Sequence, residues 1–135
     1  MKLKVHYDPD CDAIGANYKQ PHDGAREVEG LGWVVIDLLD RESHVPVGLE
    51  VIGISAWLPL GKRGYCEETD VLTFGDGVET ATVVAVNGDL VAYWGPDKYD
   101  PDSSLLPIAV DLHNASKHLA PVIAATSLPV NVANG

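Results

Sequence analysis

Three aspartates near the start of the chain have the spacing of a metal site. Asp8, Asp10 and Asp12 stand where the first three ligands of a calcium-binding loop would stand. That loop also needs a glycine at its sixth position and a glutamate at its twelfth, whereas this chain has Ala13 and Lys19 there. We therefore expect no calcium site. We predict instead that Asp8 begins a turn and that Asp12 accepts hydrogen bonds from local backbone N–H groups.

The histidines lack a recognisable metal-binding pattern. The chain has five of them, with neither a His-x-His nor a His-Glu-x-x-His spacing. His113 and His118 flank a predicted short helix and are the pair best placed to reach each other. No nucleophile elbow, phosphate loop or dinucleotide fingerprint is present in the sequence. We accordingly predict no catalytic residues, no bound metal and no cofactor.

Two further acids have a possible role in acid–base chemistry. Glu50 and Asp111 fall at matching places in two similar halves of the chain, and acids that meet across a two-fold axis could act as general acid and general base. Acids of this kind more often project from the solvent face of a sheet. The enzymatic alternative is a small metal-dependent or acid/base hydrolase with four acids near its site: Asp8, Asp12, Glu50 and Asp111.

A long loop presents the residues that we single out for recognition. Residues 95–104 replace a shorter link at 40–46 in the first half. Loops tolerate insertions and often carry binding contacts. Neutral drift in a tolerant loop would explain the extra length equally well. The predicted partner-binding residues are Trp94, Asp97, Tyr99 and Asp100.

The charge of the chain indicates the kind of partner. Twenty acidic residues against nine basic ones give a formal charge of -11. Phosphate backbones and anionic lipid surfaces repel such a protein, and basic proteins are attracted to it. We therefore expect a basic protein partner, and neither nucleic acid nor membrane. The alternative is that the charge only keeps the protein in solution.

The start of the chain and its cysteines bear on location. The opening Met-Lys-Leu-Lys-Val-His-Tyr lacks the apolar run of a signal peptide, and no stretch approaches the roughly 18 apolar residues of a membrane span. We expect a cytoplasmic protein. Cys11 and Cys66 lack a Cys-x-x-Cys spacing, so we expect free thiols.

The elements that position these residues occur twice. Four pairs recur in the same order along the two halves: Tyr7 and Tyr65, Asp12 and Asp70, Glu50 and Asp111, and Ser55 and Ser116. The first two pairs are offset by 58 residues and the last two by 61. We interpret the chain as repeats at 1–60 and 61–120, followed by an uncharged tail at 121–135.

Strand patterns dominate both repeats. A β-branched run at 78–86, the pair Asn87-Gly88 and a second run at 89–94 predict a hairpin with a type I′ turn. Upstream of this hairpin, a strand at 71–74 runs into a turn at 75–77, and alternation at 106–112 predicts a half-buried strand. In the first repeat, strands are predicted at four segments: 13–18, 25–29, 33–39 and 47–54. After the last strand of each repeat only one or two helical turns fit, because Pro59 or Pro121 should end the helix.

The predicted fold is α+β, mainly β. Each repeat forms a four-stranded antiparallel β-meander plus a short helix. The segment 33–39 carries aliphatic residues on both faces, and one or two helical turns cannot cover a sheet face, whereas a second sheet can. We expect the repeats to pack with pseudo-two-fold symmetry, as a monomer with an internal pseudo-dimer or as a homo-oligomer.

The repeat motif resembles a known prokaryotic family. The opening Tyr-Asp-Pro-Asp-Cys-Asp-Ala-Ile at 7–14 and the closing Ala-Val-Asp-Leu-His-Asn-Ala-Ser-Lys-His-Leu at 109–119 are similar to the domain of unknown function 2283 family. Ala109 and Asp111 replace the family's Gly and Glu, and Ile54 replaces its Ala. The resemblance implies a compact sheet-plus-helix unit without established activity. It also implies an occurrence in bacteria and phages, sometimes beside toxin-like genes.

These observations lead to one working hypothesis and two alternatives. The hypothesis is a non-enzymatic, acidic protein-binding or regulatory module, antitoxin-like or a phage-type inhibitor of a basic partner. The first alternative is the hydrolase described above. The second is a structural assembly subunit in which the tail at 121–135 acts as an exchanged strand.

Overall fold

The described part of the chain folds into two antiparallel sheets and one α-helix, with short 3₁₀ helices at Ile54–Trp57, after the first sheet, and at Val78–Thr80. The structure, a computed structural model, describes residues 2–18, 22–97, 99–100 and 104–126. The first sheet contains β1 (Lys4–Asp8), β2 (Ala13–Asn17), β3 (Ala25–Val28), β4 (Leu31–Leu38) and β5 (Pro46–Ile52). The second contains β6 (Tyr65–Cys66), β7 (Val71–Gly75), β8 (Val83–Asn87), β9 (Leu90–Gly95) and β10 (Leu106–His113), and helix α1 (Ala115–Thr126) follows. The predicted class, α+β and mainly β, is confirmed.

Both sheets have the same strand order. It is β1-β2-β5-β4-β3 in the first and β6-β7-β10-β9-β8 in the second. The predicted four-stranded meander is therefore wrong in two respects. Each sheet has an additional edge strand before the recurring aspartate, and its last strand lies in the centre, between the second and fourth strands. The sequence of β1 does alternate, with Val5 and Tyr7 half-buried between the exposed Lys4, His6 and Asp8, so the pattern could have predicted this strand.

The two sheets share one hydrophobic core. Val34 and Ile36 of β4 belong to the same buried cluster as Leu72 and Phe74 of β7. The ring of Trp57 packs edge-on against Phe74, with ring centroids 4.7 Å apart. Each sheet therefore covers the inner face of the other, as expected for sheets that one or two helical turns cannot cover. The outer face of the strand at 33–39 stays at the surface, where Trp33 is 65% and Leu39 40% exposed.

Two hydrogen bonds between the halves are reciprocal. The Asn87 side-chain amide donates to the Pro46 carbonyl oxygen (2.9 Å), and the Glu29 N–H donates to the Pro107 carbonyl oxygen (2.8 Å). Pro46 and Pro107 lie at the start of the central strand of their sheets. A two-fold arrangement generates contacts in such pairs. The axis itself stays a prediction, which superposition of residues 3–60 on 64–120 would test.

The predicted Asn-Gly hairpin is present, with a different turn. Asn87 pairs with Leu90, so Gly88 and Asp89 are the central residues. Gly88 has φ 59, and Asp89 is not among the non-glycine residues with positive φ. A type II′ turn needs positive φ only at its first central residue. The hairpin is confirmed, whereas the type I′ turn centred on Asn87-Gly88 is wrong.

Strand β10 is buried on both faces. Its six inner residues are all buried, although the alternation had predicted a half-buried strand. The reason is its position in the centre of the sheet, between β7 and β9, whose Thr73 and Tyr93 side chains bond to Asp111 on its outer face.

Helix α1 is longer than predicted. It runs for 12 residues through Pro121, which we had expected to end it. A proline removes one backbone hydrogen bond of a helix. Pro121 is exposed, and the following Val122 joins Leu119 in the core, so continuation of the helix buries apolar surface. Residues 121–126 of the predicted tail are thus helical, and 127–135 lie outside the described residues. No helix in the described part of the chain is long and apolar enough to cross a membrane.

Candidate functional site

The recurring tyrosine, aspartate and serine bind one another in both halves. The Tyr7 hydroxyl donates to Asp12 (2.9 Å), which also accepts from the N–H (3.1 Å) and hydroxyl (2.5 Å) of Ser55. The second half repeats the arrangement: Asp70 accepts from the Tyr65 hydroxyl (2.7 Å) and from the N–H (2.9 Å) and hydroxyl (2.7 Å) of Ser116. We call each of these groups an aspartate brace, because it ties the start of the second strand to the helix that follows the last one.

The brace corrects the expected role of Asp12. Its carboxylate binds Ser55, 43 residues away, and not local backbone N–H groups. Asp12 has φ 52, and its carbonyl oxygen accepts the Ile54 N–H (2.9 Å). Burial opposes ionisation of Asp12, but the hydrogen bonds from Ser55 and Tyr7 outweigh it and hold the pKa of the carboxyl below its ordinary value. Asp8 does form the predicted turn, since it accepts the Asp10 N–H (2.9 Å).

Glu50 and Asp111 do not meet. Glu50 stands between the core residues Leu49 and Val51 of β5, and Asp111 stands between core residues of β10. Because successive side chains of a strand point to opposite faces, each acid lies on the outer face of its own sheet. The four acids of the hydrolase alternative are therefore divided between two sheets. Among the described residues, no group of three or more His, Cys, Asp and Glu side chains could hold a metal ion.

Each of these acids has a polar neighbour on the next strand. In the first half this neighbour is Asp37. Burial raises the pKa of Asp37 to about 6, together with the hydrogen bond to Glu50 and the negative charge of Glu50. In the second half the Tyr93 hydroxyl donates to Asp111 (2.6 Å), as does the Thr73 hydroxyl (2.6 Å). Burial and the Asp111 carboxylate raise the pKa of Tyr93 to about 12.

One of the paired histidines has a structural role. The His118 Nε2 atom lies 2.7 Å from an Asp89 carboxylate oxygen, and the Asn114 side chain donates to the other oxygen (3.0 Å). Burial opposes ionisation of Asp89, but His118 and Asn114 hold its pKa below the ordinary value. These contacts attach helix α1 to the β8–β9 turn.

The structure separates the four residues predicted to bind a partner. Trp94 is 2% exposed, and its indole N–H donates to the His44 carbonyl oxygen (3.0 Å). It belongs to the core, because it lies on the inner face of β9, so its assignment to the binding surface is wrong. Asp97, Tyr99 and Asp100 are at the surface, where Asp97 accepts the Tyr99 N–H (2.9 Å). Tyr99 is 85% exposed.

A cleft of about 680 Å³ opens between the two halves beside this loop. Its lining from the first half is Glu29, Gly30, Leu31 and Trp57. Its lining from the second half is Arg63, Gly64, Thr73, Gly75, Asp76, Gly77, Thr80, Pro96, Asp97 and Ile108. Asp97 is the one predicted site residue in this set. We take the cleft and the adjoining loop as the candidate functional site.

The cleft has an excess of negative charge. Glu29, Asp76 and Asp97 contribute three carboxylates, and Arg63 contributes one guanidinium. The guanidinium lies over the ring of Trp57, with its carbon 4.0 Å from the ring centroid. A concave surface lined by one sign of charge concentrates the field and attracts ions of the opposite sign.

A difference between the halves leaves the cleft open. The end of β2 is followed by Tyr18 and the end of β7 by Asp76. Tyr18 contacts the β8–β9 turn, whereas Asp76 lines the cleft together with Glu29 and Gly30 of the β3–β4 turn. Tyr18 is 5% exposed and its hydroxyl accepts the Asp89 N–H (2.7 Å), so an aromatic ring closes that junction. At the other junction Asp76 is flanked by Gly75 and Gly77, and the space stays open.

A second difference shortens the strand pairing at the edge of β7, where the last contact is the hydrogen bond from the Thr73 N–H to the Gly64 carbonyl oxygen (2.7 Å). β1 pairs with all five residues of β2, whereas β6 pairs only with Leu72 and Val71 of β7. The cause is the sequence before β6, where Gly61 and Gly64 have φ 103 and 70 and interrupt the strand. Aligning the two repeats residue by residue would have revealed these glycines, because they stand where the first half has Leu3 and His6.

Comparison with known proteins adds no identification. No protein-family model, no curated protein and no solved structure matches the chain. The resemblance to the domain of unknown function 2283 family therefore stays a prediction.

Proposed function

We propose that this protein is a non-enzymatic module that binds a basic protein partner at the cleft between its halves. The observation that carries the proposal is the excess of carboxylates in that cleft, at Glu29, Asp76 and Asp97, against the single guanidinium of Arg63. A concave, acidic surface on a chain of formal charge -11 steers a cationic partner toward one place on the molecule.

The adjoining loop supplies an aromatic anchor. It borders the cleft through Pro96 and Asp97, and the Asp97 carboxylate fixes the backbone of Tyr99. Tyrosines are enriched among the residues that dominate binding energy at protein interfaces. Tyr99 thus offers apolar contact area next to the acidic cleft.

Two further arguments favour binding over catalysis. Asp12 and Asp111, which a hydrolase would need, are already hydrogen-bonded to protein groups, on different sheets. The resemblance to a family encoded beside toxin-like genes fits an antitoxin-like or phage-type inhibitor in the cytoplasm. The structural-subunit alternative gains no such support, because 121–126 is helical and does not offer a strand for exchange.

The test is a comparison of two triple variants. Neutralisation of the cleft by Glu29→Gln, Asp76→Asn and Asp97→Asn should weaken binding of a lysine-rich peptide and flatten its salt dependence, measured by calorimetry at several ionic strengths. The control removes the same charge from exposed acids outside the cleft: Glu42→Gln, Glu67→Gln and Glu68→Gln. Equal losses in the two variants would show that net charge alone acts, and the proposal would fail.

Tyr99→Ala gives an independent check of the anchor. Loss of an aromatic anchor mainly speeds dissociation, whereas loss of a rim charge such as Asp100→Asn mainly slows association. We expect Tyr99→Ala to weaken binding by about 2 kcal/mol. Surface-plasmon kinetics on the two variants would separate the effects, and unchanged rates in both would remove the loop from the mechanism.

A further inference from the structure

The turn between β8 and β9 contains a dipeptide that can cyclise. Asn87 is followed by Gly88. The backbone nitrogen of the residue after an asparagine can attack the side-chain amide carbon: a nitrogen–carbon bond forms, the amide NH2 group leaves with the backbone N–H proton as ammonia, and a succinimide ring results. Water then opens the ring to aspartate or isoaspartate. Glycine favours the attack because it has no Cβ to hinder its own nitrogen. Water is the only co-reactant that the turn does not itself contain.

The first half of the chain holds the asparagine side chain away from this reaction. The Asn87 amide donates to the Pro46 carbonyl oxygen (2.9 Å) at the start of β5. Asn87 is also the last residue of β8 and pairs with Leu90, so its backbone is part of the ladder. Ring closure requires the side-chain amide carbon to turn onto the Gly88 nitrogen. The amide must therefore release Pro46 before the ring can form.

A second group from the first half restrains the backbone of the turn. The Tyr18 hydroxyl accepts the N–H of Asp89 (2.7 Å), the residue after Gly88. The same hydroxyl packs so closely on Gly88 that a Cβ there would collide with it. Tyr18 is buried, so its ring also shields the turn from solvent. The peptide unit that must rearrange thus lies between Pro46 and Tyr18, and it gains freedom only where the two halves separate.

The other asparagines in the described part of the chain lack this combination. Asn17 precedes Tyr18 and Asn114 precedes Ala115, and the side chain of each following residue hinders attack by its nitrogen. Among the described residues, Asn87 alone joins a following glycine to a hydrogen bond that links the two halves. Chemical lability and a contact between the halves therefore coincide at one side chain.

We propose that Asn87 is a site of spontaneous deamidation that is gated by the contact between the halves. The closed junction suppresses the reaction, and each opening of the junction permits it. The product favours further opening, because a carboxylate at position 87 faces the Pro46 carbonyl oxygen with no hydrogen to donate. Loss of ammonia makes the change irreversible. The matching bond of the other junction comes from the Glu29 backbone N–H and cannot be lost in this way.

The rate of deamidation in the full chain tests the gate. The full chain and a blocked peptide of residues 84–91 are incubated at mildly alkaline pH, and deamidated Asn87 is quantified by peptide mapping with mass spectrometry. We expect the reaction to be slower in the full chain by about tenfold or more, because local opening limits it. The Asn134-Gly135 pair in the same digest is the internal reference for pH and temperature. Equal rates at Asn87 in the chain and in the peptide would overturn the inference.

Two tyrosine variants separate local opening from global unfolding. Tyr18→Phe removes the hydroxyl that binds the Asp89 N–H, and it should raise the rate at Asn87 about fivefold, the factor expected for one hydrogen bond. The matched control is Tyr65→Phe, which removes a hydroxyl bonded to Asp70, away from the junction. It should leave the rate unchanged. An equal rise in both variants would show that global unfolding exposes Asn87, and no rise in either would show that Tyr18 does not hold the turn. Each of these two outcomes contradicts the gate.

Asn87→Asp tests the effect of the product on the junction. We expect the Asp89 amide, which Tyr18 holds, to exchange with deuterium about tenfold faster at neutral pH, because the carboxylate repels the Pro46 carbonyl oxygen. The control is Asn17→Asp, which adds the same charge at an exposed site. Unchanged exchange at Asp89 in Asn87→Asp would show that the product does not open the junction, and the self-promoting part of the inference would be overturned.

Discussion

Aspartates of this chain behave differently according to the groups that face them. Asp12 and Asp70 accept three hydrogen bonds each from a tyrosine and a serine, which stabilise their charged form. Asp37 faces Glu50, and that neighbour destabilises its charged form. The recurrence of Asp12 and Asp70 could be read from the sequence. The serines that bind them could not be read from the sequence, because no local pattern connects an aspartate with a serine more than 40 residues away.

The acid pair predicts how stability depends on pH. The pKa of Asp37 is about 6 in the folded protein against an ordinary value of 3.8, so the folded state binds this proton more tightly than the unfolded chain. The resulting stabilisation is complete below the lower value and is lost as the pH rises through about 6. It amounts to at most about 3 kcal/mol, and solvent screening at this half-buried site reduces it to about 1 kcal/mol.

Asp37→Asn should therefore raise the free energy of unfolding at pH 7.5 by about 1 kcal/mol and have little effect near pH 4. Denaturant titrations at both pH values measure the difference. Glu27→Gln, a neutralised acid on the adjacent strand β3, is the control. A gain of equal size at both pH values would contradict the raised pKa of Asp37.

The braces predict a loss of stability that is similar in the two halves. Asp70→Ala removes three hydrogen bonds and leaves the start of helix α1 without its side-chain partner, so we expect a loss of about 2 kcal/mol. Asp12→Ala should cost about the same. Thermal unfolding of both variants, with Asp10→Ala as an exposed control, measures this. A loss confined to one half would show that the braces are not equivalent.

At the scale of elements, local signals located most strands and missed the sheet order. β-branched runs and alternation placed β2 to β5 and β9 to within a few residues. The run predicted at 78–86 began too early, because Val78–Thr80 form a 3₁₀ helix and β8 starts at Val83. The central position of β5 and β10 escaped prediction because it depends on pairing between strands far apart in sequence. The length of α1 was not predicted either, because burial of Leu119 and Val122 outweighs the backbone hydrogen bond that Pro121 removes from the helix.

The turns at β3–β4 and β8–β9 give a matched pair of substitutions. Gly88 and Gly30 both have positive φ, 59 and 79. A Cβ at Gly88 would collide with the Tyr18 ring, whereas a Cβ at Gly30 meets nothing within 4 Å. Gly30→Ala should cost about 1 kcal/mol from backbone strain alone, and Gly88→Ala clearly more. Equal costs, measured by chemical denaturation, would mean that the Tyr18 contact does not hold the halves together.

On the scale of the whole molecule, the two sheets depend on each other. The core draws Ile36 and Leu49 from one sheet and Leu72 and Leu112 from the other, and all four are fully buried. The sequence indicated this mutual cover because one or two helical turns cannot cover a sheet face such as the one that carries Val34, Ile36 and Leu38. The cleft was not predicted, because the differences that leave it open, such as Asp76 against Tyr18, show only when the two repeats are aligned residue by residue.

Separation of the halves tests this dependence. Residues 1–60 expressed alone would expose the inner face of the first sheet to water, so we expect an insoluble, molten or dimeric product. The full chain is the reference. Sedimentation velocity and near-ultraviolet circular dichroism report association and fixed packing. A well-folded monomer of 1–60 would contradict the shared core.

The unequal junctions have a consequence for valency. Tyr18 closes one junction and Asp76 leaves the other open, whereas a dimer of identical subunits must open or close both together. The two halves of this chain differ in sequence and are free of that restriction, so in the described residues the cleft opens at one of the two junctions. A titration should therefore reach saturation at one partner per chain. Such a chain cannot cross-link partner molecules, and mixtures with a partner that itself has several sites should yield discrete complexes, not networks or precipitates.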